Sequence, residues 1–591
     1  ITIVAAVLIS MFVSFTLDPM LSSVWHDPEI EPHDPQRPRR TLYDRTLGRL
    51  TQAIDQAQER LVEAYQGLLA WSLAHKKSTL AIAASTLVAA FALLPLLGSE
   101  FVPKADFSET SIAFETPVGS SLESTETKAR EVEAIVRSLP EVRYTLTTIN
   151  SGNAQGKTRA SLYVRLVERD QRSRSVDELS ALLRERLRSV GGITVTQAGL
   201  LDPVGGQKQI EFSLQGPDLQ QLDRLGQQAL ARIRTIPGLV DLDSSAKPNK
   251  PTISVTLKRD AASDLGIGTA QLAASLRTLV AGQSAGNWRA PDDETYDIQV
   301  RLPLAGRSTL EQLRALPLVI GSNADGSARV VRLSQVAEVS ESTGASQINR
   351  RALTREVTIT GNAYARSIGE ISADIRRELD ALQLPSGYRY SFGGSTKNMD
   401  ESIGYAASAL ALAIIFIYMI LASQFKSFLQ PLALMSSLPL TLIGVVLALL
   451  LFGSSLSMFS VIGIVMLMGL VTKNAILLID FAIRAREGTP DHPAMEREAA
   501  MLLAGRVRLR PILMTTLAMV FGMVPLALAI SEGSEQRAPM GQAVIGGVLT
   551  STLLTLVVVP VVYCYMDDLG RWFQRLWSGY SHEDDSSATG S

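Results

Sequence analysis

The 46 residues SFLQPLALMSSLPLTLIGVVLALLLFGSSLSMFSVIGIVMLMGLVT, 427–472, contain no Asp, Glu, Lys or Arg. A bilayer core of ~30 Å takes about 20 helical residues. This run is therefore long enough for two spans, divided near Gly453-Ser454-Ser455. Five further stretches lack the same charges: 1–17, ending at Asp18-Pro19, then 78–99, 402–425, 511–531 and 538–566. The chain opens at Ile1 in mid-run, with neither a methionine nor a basic segment before it, which is the expected look of a piece of something longer. A buried helix of a soluble protein imitates one such stretch. Six together predict a polytopic α-helical membrane protein.

Composition narrows the function classes. Charged residues are 19% of the chain, below the ~25% usual for soluble domains. The 56 basic and 58 acidic residues nearly cancel, so nothing favours nucleic acid as a partner. Cys564 is the single cysteine, which rules out a disulfide within the chain and a Cys/His zinc site. No GxxxxGK[ST] loop occurs, and the five histidines (His26, His33, His75, His492, His582) all lie outside 100–401. Enzyme readings find little support, no cofactor is expected, and without an ATP-binding loop proton-motive force is the remaining candidate for an energy source.

Basic residues orient the spans. Arg37, Arg39, Arg40, Arg45, Lys76 and Lys77 lie between the first two spans, and Lys426 follows the third. Arg484, Arg486, Arg497, Arg506, Arg508 and Arg510 form another group, and Arg571 and Arg575 follow the last span. With these in the cytoplasm, the turn at Gly453, the 531–537 turn and the whole stretch 100–401 fall on the other side. Between Leu47 and Leu68, apolar residues recur at Leu50, Ile54, Ala57, Leu61 and Tyr65, making one apolar helix face. That face predicts a helix lying on the membrane surface; packing within its own domain is the alternative.

Three segments of the large external stretch share a strand–helix–strand grammar: 112–150, 210–245 and 357–394. Each opens with alternating apolar residues, ends its helix before Pro or Gly, and returns through a second alternating strand such as Tyr388, Tyr390, Phe392. Repeated split βαβ units predict ferredoxin-like α+β subdomains. Residues 261–344 read as an inserted lobe richer in strand and turn, with turns at Pro291-Asp292-Asp293 and Gly321-Ser322-Asn323. The expected organisation is a span in 1–25, a cytoplasmic linker 26–77 and a span 78–99. A first external subdomain follows over 100–207, then a second in two pieces, 208–260 and 345–398, around the lobe 261–344. A five-span bundle 399–567 and a cytoplasmic tail 568–591 complete the chain.

Several of these residues carry a family resemblance. Thr16-Leu17-Asp18-Pro19-Met20-Leu21, Phe101-Val102-Pro103 with Asp106, and Gln424-Phe425-Lys426-Ser427-Phe428 with Pro431 and Pro439 are the first signs. Thr472-Lys473-Asn474-Ala475-Ile476-Leu477 and Arg508-Leu509-Arg510-Pro511-Ile512-Leu513-Met514-Thr515, in that order, are the strongest. The chain resembles the C-terminal half, with the preceding span, of resistance-nodulation-division (RND) transporters of the hydrophobe/amphiphile multidrug efflux branch. The resemblance implies an inner-membrane proton antiporter. It also implies a homotrimer embedded in membrane lipid, with a periplasmic adaptor (membrane fusion) protein and an outer-membrane channel as partners. The inserted lobe is expected to be the docking part. The family's first half, which carries paired aspartates in its fourth span, has no counterpart here; Asp567-Asp568 stands at the end of the last span.

Lys473 is the one lysine inside a span. Burying an ammonium in lipid costs on the order of 2.5–3.5 kcal/mol, so such a residue faces a partner or a wet path unless it snorkels to the headgroups. The resemblance makes it the cation that pairs with the aspartates of the other half, with Asn474 beside it. It also places Arg508 and Thr515, seven residues apart on one helix face, along the same proton path. Read alone, Arg508 is a topology anchor, the role left to Arg510. On the external strands Phe114, Ile149 and Tyr163 are candidate substrate-pocket residues, with core packing as the alternative. The 150–156 segment matches the family's switch loop in position but lacks its phenylalanines.

Two other readings from related branches stay open. Heavy-metal export wants soft ligands, yet 100–401 holds no Cys, no His and one methionine, Met399. A secretion-linked protein-export factor has six spans per chain, against which the lysine motif argues.

Overall fold

The computed structural model describes residues 2–24, 42–151, 156–199, 208–322, 325–488 and 493–580. It divides into two compact units, Ile1–Ala70 and Trp71–Ser591. The first holds the helix Thr2–Val24 and most of the helix Leu42–Ala74. Thr2–Val24 continues through Asp18-Pro19 rather than stopping there. The basic residues from Arg37 to Arg40, four of the five histidines and the tail beyond 580 lie outside the described residues.

In the second unit six helices are long and apolar enough to cross a membrane. They are Lys76–Leu96, Gly394–Phe425, Gln430–Phe452, Met458–Glu487, Arg497–Ala527 and Ala538–Trp572, among the described residues. The helix Arg497–Ala527 begins ahead of the charge-free stretch at 511 and runs unbroken through Pro511 and Pro525, with Arg506, Arg508 and Arg510 on it. A proline within a spanning helix is tolerated where neighbours satisfy the freed carbonyl.

The helices Ser437–Phe452, Met458–Glu487 and Ala538–Tyr580 form the packed centre, around Val445, Leu449, Leu467, Val471, Ala543, Val544 and Val548. Lipid tails are as apolar as leucine, so close backbone approach supplies the helix contact. Gly444 sits against the Gly546 carbonyl, where any side chain collides. By contrast Gly394–Phe425 leaves Ile415, Phe416, Met419 and Ile420 exposed. At the 480–572 ends, Arg486 bonds Asp567 at 3.2 Å and Arg497 bonds Asp567 at 3.1 Å and Asp568 at 2.5 Å, clasping three helices together.

Outside the bundle the expected repeats pair into two subdomains of one topology. The first uses strands Glu109–Glu115, Val142–Ile149, Arg159–Leu166 and Thr194–Gly199, with helices Leu122–Arg137 and Val176–Leu187 between them. In the sheet the second, third, first and fourth strands lie in that order, all antiparallel. The second subdomain repeats the order with Leu239–Ser244, Thr354–Ala363, Ile210–Gly216 and Arg389–Gly393, crossed by helices Leu219–Ile233 and Ile368–Asp380. Alternation dictates the packing: Ile112, Phe114, Leu162 and Val164 face one pair of helices, and Phe212, Leu214, Val357 and Ile359 the other. Each fully buried side chain of this kind contributes about 1.5–3 kcal/mol. All four helices start at a side-chain cap (Ser121, Ser175, Asp218, Ser367), each worth about 0.5–2 kcal/mol.

The lobe lies between the second and third strands of the second subdomain. Its stem is Lys250–Leu257 paired with Ala337–Gly344, Val255 opposite Val339. Val255 and Leu257 pack with the lobe's own core, so the folded lobe starts at Lys250, earlier than the boundary at 261. It carries two hairpins, Gln283–Arg289 with Thr295–Val300 and Pro317–Ser322 with Ala328–Arg332.

Where the chain leaves the Lys76–Leu93 helix it is stitched to two other parts. Glu100 N–H donates to Leu456 O (3.0 Å), Leu456 N–H to Gly98 O (2.7 Å), and Gly369 N–H to Ser99 O (2.9 Å). The turn at 453–457 and the start of the Ile368–Asp380 helix therefore meet on one strand of chain.

Candidate functional site

Lys473 stands near the middle of Met458–Glu487, about 22 Å along the helix from its start. It is exposed, and no ion pair or hydrogen bond reaches its ammonium among the described residues. Asn474, the next residue, points into the bundle instead. Its Nδ2 lies 3.4 Å from Thr552 Oγ1 on Ala538–Tyr580, and Thr552 Oγ1 lies 3.1 Å from Thr516 Oγ1 on Arg497–Ala527. All three residues are buried. Asn474 Oδ1 is buried without a partner.

The other two residues of the expected path do not join this chain. Thr515 gives its hydroxyl to Ile512 O of its own helix at 3.0 Å. A one-residue step turns a helix by about 100°, so Thr516, not Thr515, meets Thr552. Arg508 is half-buried with its guanidinium over the Phe481 ring at 5.1 Å, and its Nε is buried without a partner. Thr516 and Thr552 were not singled out in the sequence. Threonine in an apolar helix carries no charge signal, and the only pointer is its recurrence in Thr550-Ser551-Thr552.

In the external domain the three pocket candidates separate. Phe114 is 1% exposed in the first subdomain's core, and Ile149 packs against the same core. Both sit opposite Ala160 on the helix-facing side of the sheet. Phe114 is thus enclosed between sheet and helices as a core residue, while Ile149 is half-buried at the edge of that core. Tyr163 lies on the other face, opposite Ser111 and Leu146. Its hydroxyl donates to Glu109 Oε2 at 2.7 Å, and that carboxylate raises the phenol's pKa. Beside it Tyr144 (51% exposed, ring centroids 6.3 Å apart) and Leu146 (61% exposed) complete an open apolar face. Of the 150–156 segment, 152–155 lie outside the described residues; Asn150 Oδ1 accepts from Gly156 N–H at 3.2 Å.

The two subdomains meet through charges. Arg184 grips Asp241 with two bonds, 2.8 and 2.9 Å, and Asn362 Nδ2 donates to the same carboxylate at 2.9 Å. Lys208 donates to Asp241 O at 2.8 Å, and burial lowers its pKa. Lys247 bridges Glu115 (3.0 Å) and Asp243 (2.6 Å). Closer to the bundle, burial alone would raise the Asp106 carboxyl. Hydrogen bonds from Arg172 and from the Ser108 and Val176 N–H groups outweigh it and hold the pKa below the usual range. At Glu100 the balance is reversed: burial raises its pKa, outweighing the Lys104 charge and a hydrogen bond from Ser455. It lines a cleft of about 550 Å³ with Lys104, Asp177, Arg366, Glu370 and Glu535.

With this geometry in place the comparison with known proteins is direct. The profile of the AcrB/AcrD/AcrF family matches residues 1–567. The chain belongs to that family. Two solved structures, crystal forms II and I of a heavy metal efflux pump, are similar to it at 25% identity each. The first has a TM-score of 0.74, covering 87% of this chain and 53% of the pump chain. The second has 0.72, with 86% and 51%. The chain thus spans about half the length of those pump chains. The fold is that of RND pumps, a multi-pass inner-membrane protein with a periplasmic α+β domain.

Proposed function

We propose that this chain is part of the inner-membrane subunit of a proton-driven pump exporting amphiphilic and hydrophobic small molecules. In this reading it works as a homotrimer with a periplasmic adaptor and an outer-membrane channel. The observation that carries the substrate class is the open sheet face of Tyr144, Leu146 and Tyr163. Exposed aromatic and aliphatic groups beside a few polar ones suit an amphiphile. Lys473 is the coupling cation: it pairs with carboxylates supplied by the pump's other half and is freed when they take up protons. Asn474, Arg508 and Thr515 serve the same path, and packed helices answer the change by shifting between discrete arrangements.

Heavy-metal export is the second reading, favoured by the two structural relatives, both crystal forms of a heavy metal efflux pump. Against it, 100–401 has no Cys or His. Among the described residues no group of three or more His, Cys, Asp or Glu stands ready to hold a metal. One experiment separates the two. The full-length pump is expressed in a susceptible host, and dye efflux is measured beside tolerance to copper, silver and zinc. Dye efflux abolished by Lys473→Met supports the first reading; metal tolerance without dye efflux replaces it with the second.

A further inference from the structure

Hydroxyl groups inside apolar helices ordinarily bond a carbonyl of their own preceding turn. Thr515 does so, as do Thr472 (Met468 O, 3.0 Å) and Thr441 (Leu438 O, 2.7 Å). Thr516 and Thr552 bond across helices instead, to each other and to Asn474. The donor and acceptor count leaves this chain able to run either way. Thr552 accepts from the Asn474 amide and keeps its own O–H and a second lone pair, so either threonine can donate in the Thr516–Thr552 bond. With the carboxamide turned over, Thr552 donates to the amide oxygen and accepts from Thr516, and the chain is unbroken. In either orientation one end of the amide is held by Thr552, and the other end stays buried and unpartnered inside the bundle, one residue along the helix from Lys473.

A buried polar atom left open is costly unless something meets it for part of the cycle. Resting on the proton-coupling reading of Lys473, we infer that Thr552, backed by Thr516, is a positioning residue that aims the Asn474 carboxamide into the proton path. The open amide end then receives the Lys473 ammonium or a hydrated proton when the lysine leaves its carboxylates. Because the three residues belong to three helices, Met458–Glu487, Arg497–Ala527 and Ala538–Tyr580, a relative shift of those helices breaks or remakes the aim. The amide's orientation is thereby tied to the helix arrangement.

The test uses the full-length pump, with surface level, proton-driven transport rate and its pH profile measured together. Thr552→Val keeps the shape and removes the hydroxyl. The expected result is a rate lowered about tenfold at normal surface level with a displaced pH profile. Thr552→Ser restores both. Thr516→Val lowers the rate less and carries the test should Thr552→Val fail to reach the membrane. A wild-type rate and profile in Thr552→Val, with Lys473→Met inactive, overturns the positioning role alone. Failure of Thr552→Ser to rescue also overturns it, because a retained hydroxyl would then not suffice and packing of the side chain would account for the loss. Transport retained in Lys473→Met removes the coupling reading underneath.

Discussion

The two periplasmic subdomains share a strand order and differ on nearly everything their helices do not cover. In both, the row facing the helices is apolar and sealed: Ile112, Phe114 and Leu162 in one, Phe212, Leu214 and Ile359 in the other. On the opposite face the first sheet shows Tyr144, Leu146 and Tyr163. The second sheet buries polar groups there and satisfies them. Ser213 bonds Ser391 at 3.2 Å, Gln215 accepts from Arg389 at 2.9 Å, and Glu211 pairs with Arg351 at 3.5 Å. Between the second and third strands the first subdomain has only the 150–158 connection, whereas the second holds the whole lobe from Lys250 to Gly344. The helix-facing rows fix the fold, and the far face and the hairpin tip are left free for function.

If the helix-facing rows are equivalent, truncating either should cost the same. Phe114→Ala and Phe212→Ala are each expected to destabilise by about 3–5 kcal/mol, read from unfolding of the purified protein in detergent. A difference larger than either value's spread would break the equivalence. Slightly smaller is the expected loss for Arg172→Met, about 3 kcal/mol, because the Asp106 carboxylate is left buried without its cation. Arg130→Met, whose pair with Glu126 is exposed, should change stability by less than ~0.5 kcal/mol on the same assay.

How much of this the sequence carried depends on the signal each feature sends. The spans and the three strand–helix–strand units were legible, since charge-free runs and alternation are local properties. A fourth unit, Arg159–Leu166 to Thr194–Gly199, sends a weaker signal, because the arginine-rich 169–174 separates its first strand from its helix. Phe114 and Tyr163 looked alike as aromatics in neighbouring strands, but register puts them on opposite faces, and register needs the partner strand. Lys473 announced itself by the cost of its charge. Thr552 could not, because a hydroxyl matters only through what lies across from it.

Protonation sets Glu100 against Asp106, six residues apart on the chain leaving the membrane. Asp106 is held low, so its contribution is present above the ordinary aspartate value and is lost as pH falls through the lowered folded value. Glu100 is raised, so the fold favours its protonated form. That contribution is present below the ordinary glutamate value and is lost as pH rises through the raised folded value. Melting temperature followed against pH should therefore change in opposite senses on substitution. Asp106→Asn flattens the acid limb, and Glu100→Gln removes a decline above the ordinary glutamate range. A wild-type curve for Glu100→Gln would show that this carboxyl titrates like an exposed one.

The smallest effect on stability should come from the face that differs most in function. Tyr144→Ala and Leu146→Ala remove exposed groups that pack on little, so each is expected to change stability by less than ~0.5 kcal/mol. Under the proposed function both should still alter which dyes the full-length pump exports, Leu146→Ala weakening the more apolar ones first. Ser213→Ala on the second sheet is the contrasting change. It leaves Ser391 without its partner, costs about 1 kcal/mol, and should leave the dye range untouched, because that face is closed. An unchanged dye range in both first-sheet variants, together with a changed one in Ser213→Ala, would reverse the assignment of the working face. Stability and substrate range thus report on different rows of the same sheets, and only the row away from the helices should move the second without the first.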